Sequence, residues 1–203
     1  MNDSIDSQIF ARITKQGTGW CFTPRDFLDL GASTAIWATL SRLQKDGTVR
    51  RLAKGLYDFP REHPELGLLS PTPEAVAQAI AERDGSRLQP SGAYAANILG
   101  LSEQVPAQVV FLTSGPDRKV KIGNREIILK NTVPRNLATA GRISGTVIQA
   151  LRHIGGKQIT QSHIKHLKNK LSKADRDQLW KDRVNAPVWL HSFLKEIAED
   201  ADA

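Results

Sequence analysis

Residues 33–59 constrain the fold more than any other part of this sequence. Residues 33–46 have the pattern of one helix, capped by Ser33 and ended by Gly47, in which Ile36, Leu40 and Leu43 recur as a buried stripe. After Gly47, polar and apolar residues alternate on both sides of residues 53–55, which predicts a β-hairpin. A capped helix followed at once by a basic hairpin predicts a winged helix-turn-helix.

Two shorter helices are expected before this segment. Ser4 is placed to cap the first, which Gly17 ends. Thr23 followed by Pro24 predicts the start of a second helix, which carries Phe27 and Leu28 inward and ends at residues 30–31. The predicted winged helix-turn-helix domain therefore covers residues 1–60.

The outer face of the third helix and the hairpin form the predicted DNA-binding surface, because a helix of this kind fits the major groove and a basic wing meets phosphate. Residues 42–54 hold five Lys or Arg and one Asp. The predicted DNA-contacting residues are Ser33, Thr34, Trp37, Ser41, Arg42, Lys45, Arg50, Arg51 and Lys54. Two alternatives stay open: the third helix is an ordinary surface helix, and Trp37 packs against the first helix or a dimer partner instead of DNA.

The rest of the chain predicts a second domain. Residues 61–73 are rich in proline and glycine, as is typical of a linker, and residues 74–203 alternate helical segments with a small group of strands. Strands are predicted at 109–113, 119–122 and 126–129, with helices at 73–84, 93–99, 137–153, 161–171 and 173–197, the last broken near Pro187. The predicted fold class is α+β.

A second basic segment lies in this domain. Residues 118–173 contain thirteen Lys or Arg and one acidic residue, Glu126. This excess indicates either a solvated charged face or a surface for RNA, DNA or an acidic protein. The candidate residues are Arg118, Lys119, Lys121, Arg135, Lys165, Lys168 and Lys170.

Composition narrows the classes of protein further. The formal charge of +7 favours an acidic partner such as nucleic acid. Cys21 is the only cysteine, and neither a signal peptide nor a membrane-spanning apolar stretch is evident, so a cytoplasmic protein is expected. His163 and His166 lack a cysteine or carboxylate at ligand spacing, so no metal, no cofactor and no enzymatic activity are predicted.

Several motifs resemble those of one family. Leu40-Ser41-Arg42-Leu43, Gly47 and the run Arg50-Arg51-Leu52-Ala53-Lys54-Gly55-Leu56-Tyr57 resemble the N-terminal winged helix of AbiEi-type antitoxins of type IV toxin–antitoxin systems. The runs at 89–97, 104–107 and 134–137 and the strand that ends at Thr113 are similar to the second domain of the DUF6088 branch of that family. The resemblance extends over roughly residues 5–195.

The resemblance implies a bifunctional bacterial protein. Its N-terminal domain would repress its own operon by binding inverted repeats in the promoter, and a homodimer on the DNA is a candidate assembly. Its second domain would counteract a nucleotidyltransferase-like toxin, with RNA or the toxin as an indirect partner. The alternatives are a repressor without a toxin and a winged-helix module that binds protein.

Overall fold

The computed structural model describes residues 4–199 and confirms the α+β class. These residues contain eight α-helices, and their strands form three sheets. The helices are α1 (Ile5–Gln16), α2 (Ser33–Lys45), α3 (Pro73–Asp84), α4 (Gly92–Leu99), α5 (Ile143–Ile154), α6 (Gln161–Lys170), α7 (Lys173–Asp182) and α8 (His191–Ala198). The strands are β1 (Cys21–Phe22), β2 (Arg50–Ala53), β3 (Leu56–Asp58), β4 (Glu62–His63), β5 (Gly67–Leu68), β6 (Leu88–Pro90), β7 (Gln108–Thr113), β8 (Arg118–Ile122) and β9 (Arg125–Asn131).

The chain divides into two compact units, at a place that differs from the predicted linker. The first unit comprises residues 1–86 together with 120–127, and the second comprises 87–119 and 128–203. Helix α3 therefore belongs to the first unit, where it packs against β1. Within the predicted linker, β4 and β5 pair as a short exposed hairpin.

The first unit is built on helix α1, strand β1, helix α2 and the β2–β3 hairpin, in the predicted order. Ser4 caps α1 by accepting a hydrogen bond from the Ser7 backbone N–H. Strand β3 lies between β1 and β2, so the hairpin continues a three-stranded sheet. One hydrophobic core joins these elements through Ile9, Ile13, Phe22, Phe27, Ile36, Leu40, Val49 and Tyr57.

Two details of this unit differ from the sequence prediction. The predicted second helix is only a 3-10 helix over Pro24–Phe27, closed by a capping box in which Asp26 accepts from Thr23. Phe27 is buried as expected, whereas Leu28 is 49% exposed, because the helical turn that would carry it inward ends before it. Helix α2 begins at Ser33 with Ala32 in the capping position, so Ser33 is the first helical residue and not the cap.

The second unit combines a four-stranded sheet with a bundle of helices. The strand order is β6-β7-β9-β8, and β6 pairs antiparallel with β7. Helices α4 to α8 share a core that includes Leu99, Val147, Leu151, Leu167 and Leu194. The predicted long helix at 137–153 is a 3-10 helix at Pro134–Leu137 followed by α5, and the last predicted helix is divided at 183–190 as the proline suggested.

No helix among the described residues is long and apolar enough to cross a membrane.

Candidate nucleic-acid interface

Helix α2 turns its apolar stripe inward, as predicted, and leaves its polar residues at the surface except Thr39, which is buried. Ile36 and Leu40 are fully buried. The exposed side chains of α2 among the predicted contacts are Ser33, Thr34, Trp37, Ser41, Arg42 and Lys45. The 3.6-residue repeat of the helix produces this separation, because residues three and four apart return to the same face.

Trp37 connects α2 to the hairpin. Its ring meets that of Tyr57 edge to face at 6.5 Å, and its Cη2 atom lies 3.7 Å from where a Cβ at Gly55 would stand. Gly55 has a φ of +69°, which the tight hairpin turn requires and which glycine adopts without strain. Trp37 is still 44% exposed. Its inward ring contacts are thus with Tyr57 and Gly55 of the hairpin.

Arg50 does not present its charge to solvent in the way the sequence suggested. Its guanidinium pairs with the carboxylate of Asp58 at 2.6 Å and donates a further bond of 2.8 Å to the carbonyl of Leu69. The Asp58 side chain is 1% exposed, and its hydrogen bond raises the pKa of Arg50. We therefore correct the predicted role of Arg50: its charge neutralises a buried carboxylate within the first unit.

Arg42 is engaged in a similar way. The Nη2 atom of Arg42 donates to both carboxylate oxygens of Asp6 on α1, at 2.6 and 2.7 Å. Asp6 also accepts a hydrogen bond from the Thr39 hydroxyl. The Thr39 and Arg42 hydrogen bonds lower the pKa of Asp6. The Arg42 side chain remains 57% exposed, so this pair ties α1 to α2 at the surface.

Three of the predicted basic contacts keep their charge available. Arg51, Lys45 and Lys54 are exposed, and none of them pairs with a carboxylate within residues 4–199. Arg51 stands opposite Tyr57 in the hairpin, so it shares the face of the sheet that packs toward α2. Lys54 lies at the hairpin turn. These side chains, with the polar residues of α2, form what we call the α2–hairpin surface.

Cys21 belongs to the opposite face of the same sheet and is not a reactive group. Burial, followed by the nearby charge of Asp58, raises the pKa of its thiol to about 12. It therefore stays protonated at neutral pH, and a protonated thiol is neither a good nucleophile nor a metal ligand.

The predicted basic residues of the second domain are exposed or half-buried, and they are divided between the two units. Lys121 falls in the first unit, whereas Arg118 and Lys119, its neighbours on β8, fall in the second. On α6, Lys165 and Lys168 share one flank of the buried stripe formed by Ile164 and Leu167, and Lys170 lies on the other.

The two histidines of α6 have structural roles. His163 closes a capping box by accepting from the Thr160 backbone N–H through Nδ1. His166 Nε2 forms a 2.8 Å hydrogen bond with the carbonyl of Leu99, at the end of α4. Among the described residues, no group of three or more His, Cys, Asp or Glu is placed to hold a metal ion.

The structure groups two residues outside the predicted basic set, Arg152 and His153, with the segment that contains Arg135. Arg152, in the last turn of α5, donates to the side-chain oxygen of Asn136 at 3.1 Å, which places it beside Arg135. His153 lies next to Gly92, with its Nδ1 4.0 Å from where a Cβ would stand. Only the helical period of α5, combined with the position of the 134–137 segment, could have indicated this group.

Charge is divided unequally between the units. By sequence, the first unit contains 12 Lys and Arg and 12 Asp and Glu, so it is formally neutral. The second contains 16 basic and 9 acidic residues and therefore carries the whole formal charge of +7. The net positive charge thus comes from the second unit and not from the unit that contains the predicted winged helix.

The chain belongs to the DUF6088 family, which is described as a family of unknown function and matches residues 8–179. None of the curated proteins compared with the sequence matches it.

Proposed function

We propose that this protein is a DNA-binding transcriptional regulator and that its first unit is a winged helix-turn-helix. The observation that carries the proposal is the α2–hairpin surface. In this arrangement α2 enters the major groove, and the hairpin meets the neighbouring backbone.

The residues of the α2–hairpin surface fall into two chemical groups, hydroxyl side chains and cations. Ser33, Thr34 and Ser41 are short hydroxyl-bearing side chains on the exposed face of α2, and such groups can donate to or accept from base edges. Lys45, Arg51 and Lys54 are the available cations, which suit phosphate oxygens. Trp37 holds the hairpin against α2 and so keeps the two sets in one fixed geometry. Arg42 and Arg50 stabilise the unit instead of binding the backbone.

A pair of matched substitutions tests this division. Lys54→Ala should weaken binding to every DNA sequence by a similar factor and lower the salt dependence by about one phosphate contact. Lys15→Ala, an equally exposed cation at the end of α1, is the control and should leave binding unchanged. If both variants bind as tightly as the wild type, or both lose affinity equally, the α2–hairpin surface is not the DNA-binding surface.

The hydroxyl residues call for a different readout. Thr34→Ala and Ser41→Ala should each relax the preference at particular base pairs, at a cost of about 1–3 kcal/mol for the preferred base. Selection from a randomised DNA pool shows such a change directly. An unchanged base preference in both variants would show that α2 does not read the DNA sequence.

The second proposed role is that of an antitoxin in a type IV toxin–antitoxin system, which represses its own operon and counteracts a nucleotidyltransferase-like toxin. The support is the resemblance in the second unit, where separate motifs meet around α5. Gln89 is placed to donate to the Thr139 carbonyl at 3.2 Å, Ser91 is hydrogen-bonded to Gln149, and Asn136 accepts from Arg152. Motifs far apart in sequence thus belong to one packed region.

Co-expression with the adjacent gene tests the antitoxin role. If that gene stops growth, the full chain should restore it, and a Lys54→Ala variant should still do so because the second unit carries this activity. Failure of the chain to relieve a toxic neighbour would contradict the antitoxin role, and a neighbour that is not toxic would leave a repressor without a toxin. If DNA binding is also absent, a winged-helix module that binds protein becomes the better account.

A further inference from the structure

The second unit contains a long segment without any acidic residue. Residues 127–174 include nine Lys or Arg and neither Asp nor Glu. Arg142 in this segment is neutralised from outside it, since its Nη1 lies 2.6 Å from a carboxylate oxygen of Asp182 on α7. Arg135 and Arg152 are exposed, and no carboxylate pairs with either within residues 4–199.

The fold holds Arg152 with a neutral acceptor. The Asn136 amide donates to the Thr132 hydroxyl at 2.8 Å, which turns its oxygen toward Arg152. One guanidinium nitrogen is thereby fixed, while Arg152 as a whole stays exposed and its charge is not paired with a carboxylate within residues 4–199. A guanidinium held in this way suits a phosphate, which it can meet with two parallel hydrogen bonds.

His153 and Arg135 flank this guanidinium. His153 follows Arg152 in the last turn of α5 and approaches the backbone of Gly92, where a side chain is absent. Arg135 adjoins Asn136, the residue that orients Arg152. Both are exposed. Arg135 and Arg152 thus supply the positive charge of one surface region that also includes His153, and we name these three residues the α5-end patch.

We propose that the α5-end patch binds the phosphate backbone of the same DNA that the first unit reads. The inference rests on the proposed DNA binding. The first unit is formally neutral, so it lacks the net charge that attracts a protein to DNA over a distance, whereas the second unit carries +7. Once the first unit is bound, the covalent link keeps the second at a high local concentration near the duplex. The first unit supplies sequence preference, and the patch supplies sequence-independent affinity.

The test measures the salt dependence of binding by the full chain. Each phosphate contact contributes about 0.9 to the slope of log K against log salt concentration, so Arg135→Ala with Arg152→Ala should lower that slope by about 1.8. The loss should be equal on the promoter and on a scrambled duplex. Arg135→Lys with Arg152→Lys keeps the charge and should restore most of the slope.

A matched control removes two charges elsewhere on the same unit. Lys165→Ala with Lys170→Ala, both exposed on α6, should leave the slope near the wild-type value. An unchanged slope in the Arg135 and Arg152 double variant overturns the proposal. An equal loss in both double variants also overturns it, because the effect then comes from net charge and not from the patch.

Two further outcomes separate this inference from the proposed function. If Lys54→Ala weakens DNA binding and the patch variant does not, only the patch assignment is wrong; if the wild type binds no DNA, the proposed function is wrong. The affinity of each variant for a single-stranded RNA of equal length is measured in the same way. If the patch variant loses RNA affinity and keeps DNA affinity, the patch binds RNA and the DNA assignment is overturned.

Discussion

At the scale of residues, several arginines within residues 4–199 are paired with carboxylates outside their own helix or strand. Arg42 pairs with Asp6, Arg50 with Asp58 and Arg142 with Asp182. Composition shows how many cations a segment contains, but tertiary contacts decide which of them stay available to a partner. Of the nine predicted DNA contacts, Arg42 and Arg50 are paired in this way, and Arg42 remains 57% exposed.

Arg50→Ala should destabilise the first unit because it leaves the Asp58 carboxylate buried without a partner. We expect a loss of about 3 kcal/mol in the free energy of unfolding, measured by urea denaturation. Arg51→Ala, one residue further along the strand, is the control and should change stability by less than about 0.5 kcal/mol. Equal stability of the two variants would contradict the structural role of Arg50.

Asp182 makes the stability of the second unit depend on pH. Its burial would raise its pKa, but hydrogen bonds from Ser144, Gln178 and Arg142 outweigh burial and lower the pKa below 3.8. The carboxylate therefore contributes stability that is fully present above pH 3.8 and is lost as the pH falls through the lowered pKa.

Asp182→Asn should accordingly reduce the difference in unfolding free energy between pH 7 and pH 3, as measured by urea denaturation. Asp177→Asn alters an exposed carboxylate of the same helix and serves as the control. The same pH dependence in wild type and Asp182→Asn would rule out this contribution.

At the scale of elements, the contact of Trp37 joins α2 to the hairpin. Trp37→Ala should cost about 1–2 kcal/mol of stability and should weaken DNA binding. Trp37→Phe should retain part of the stability and part of the DNA affinity. Phe10 is 46% exposed on α1 and provides a control aromatic residue, for which substitution by Ala should have little effect on DNA binding. If Trp37→Ala binds DNA normally, the hairpin does not need this support.

The start of α5 is packed too closely for a side chain at Gly145. A Cβ there would stand 2.6 Å from the Thr139 carbonyl and would also meet the Gln89 amide. Gly145→Ala should destabilise the protein by about 1–3 kcal/mol in thermal or urea unfolding, although alanine ordinarily favours a helix over glycine by about 1 kcal/mol.

Gly31→Ala is the matched control. A Cβ at Gly31 would meet only the end of the flexible Ile5 side chain, which can move away. A stabilised Gly145→Ala variant would show that the start of α5 is packed more loosely than described.

Elements with local signals were predictable from the sequence. Helices α2 and α3, the β2–β3 hairpin and the β8–β9 hairpin have glycines, prolines or periodic apolar residues at their ends or turns, and these signals act within a few residues. The 3-10 helix at Pro24–Phe27 carries the same start signal as an α-helix, so the sequence could not separate the two. The partners of Trp37 and Arg152 depend on how distant segments pack, and no short pattern encodes that.

At the scale of the whole molecule, charge and the predicted DNA-reading surface lie in different units. The sequence places the larger basic excess in the second domain, and the unit that contains the predicted winged helix is formally neutral. In this account the first unit chooses the DNA sequence by the polar face of α2. The second unit adds electrostatic affinity through the α5-end patch.

The most direct test of the central claim is a titration of the full chain against its own promoter fragment and a scrambled fragment, at two salt concentrations. We expect tighter binding to the promoter than to the scrambled fragment at both salt concentrations, because only the promoter offers the right base contacts. The affinity for each fragment should fall by a similar factor as the salt concentration rises, because both fragments offer the same phosphate contacts. Equal affinity for the two fragments at both salt concentrations would contradict sequence reading by α2.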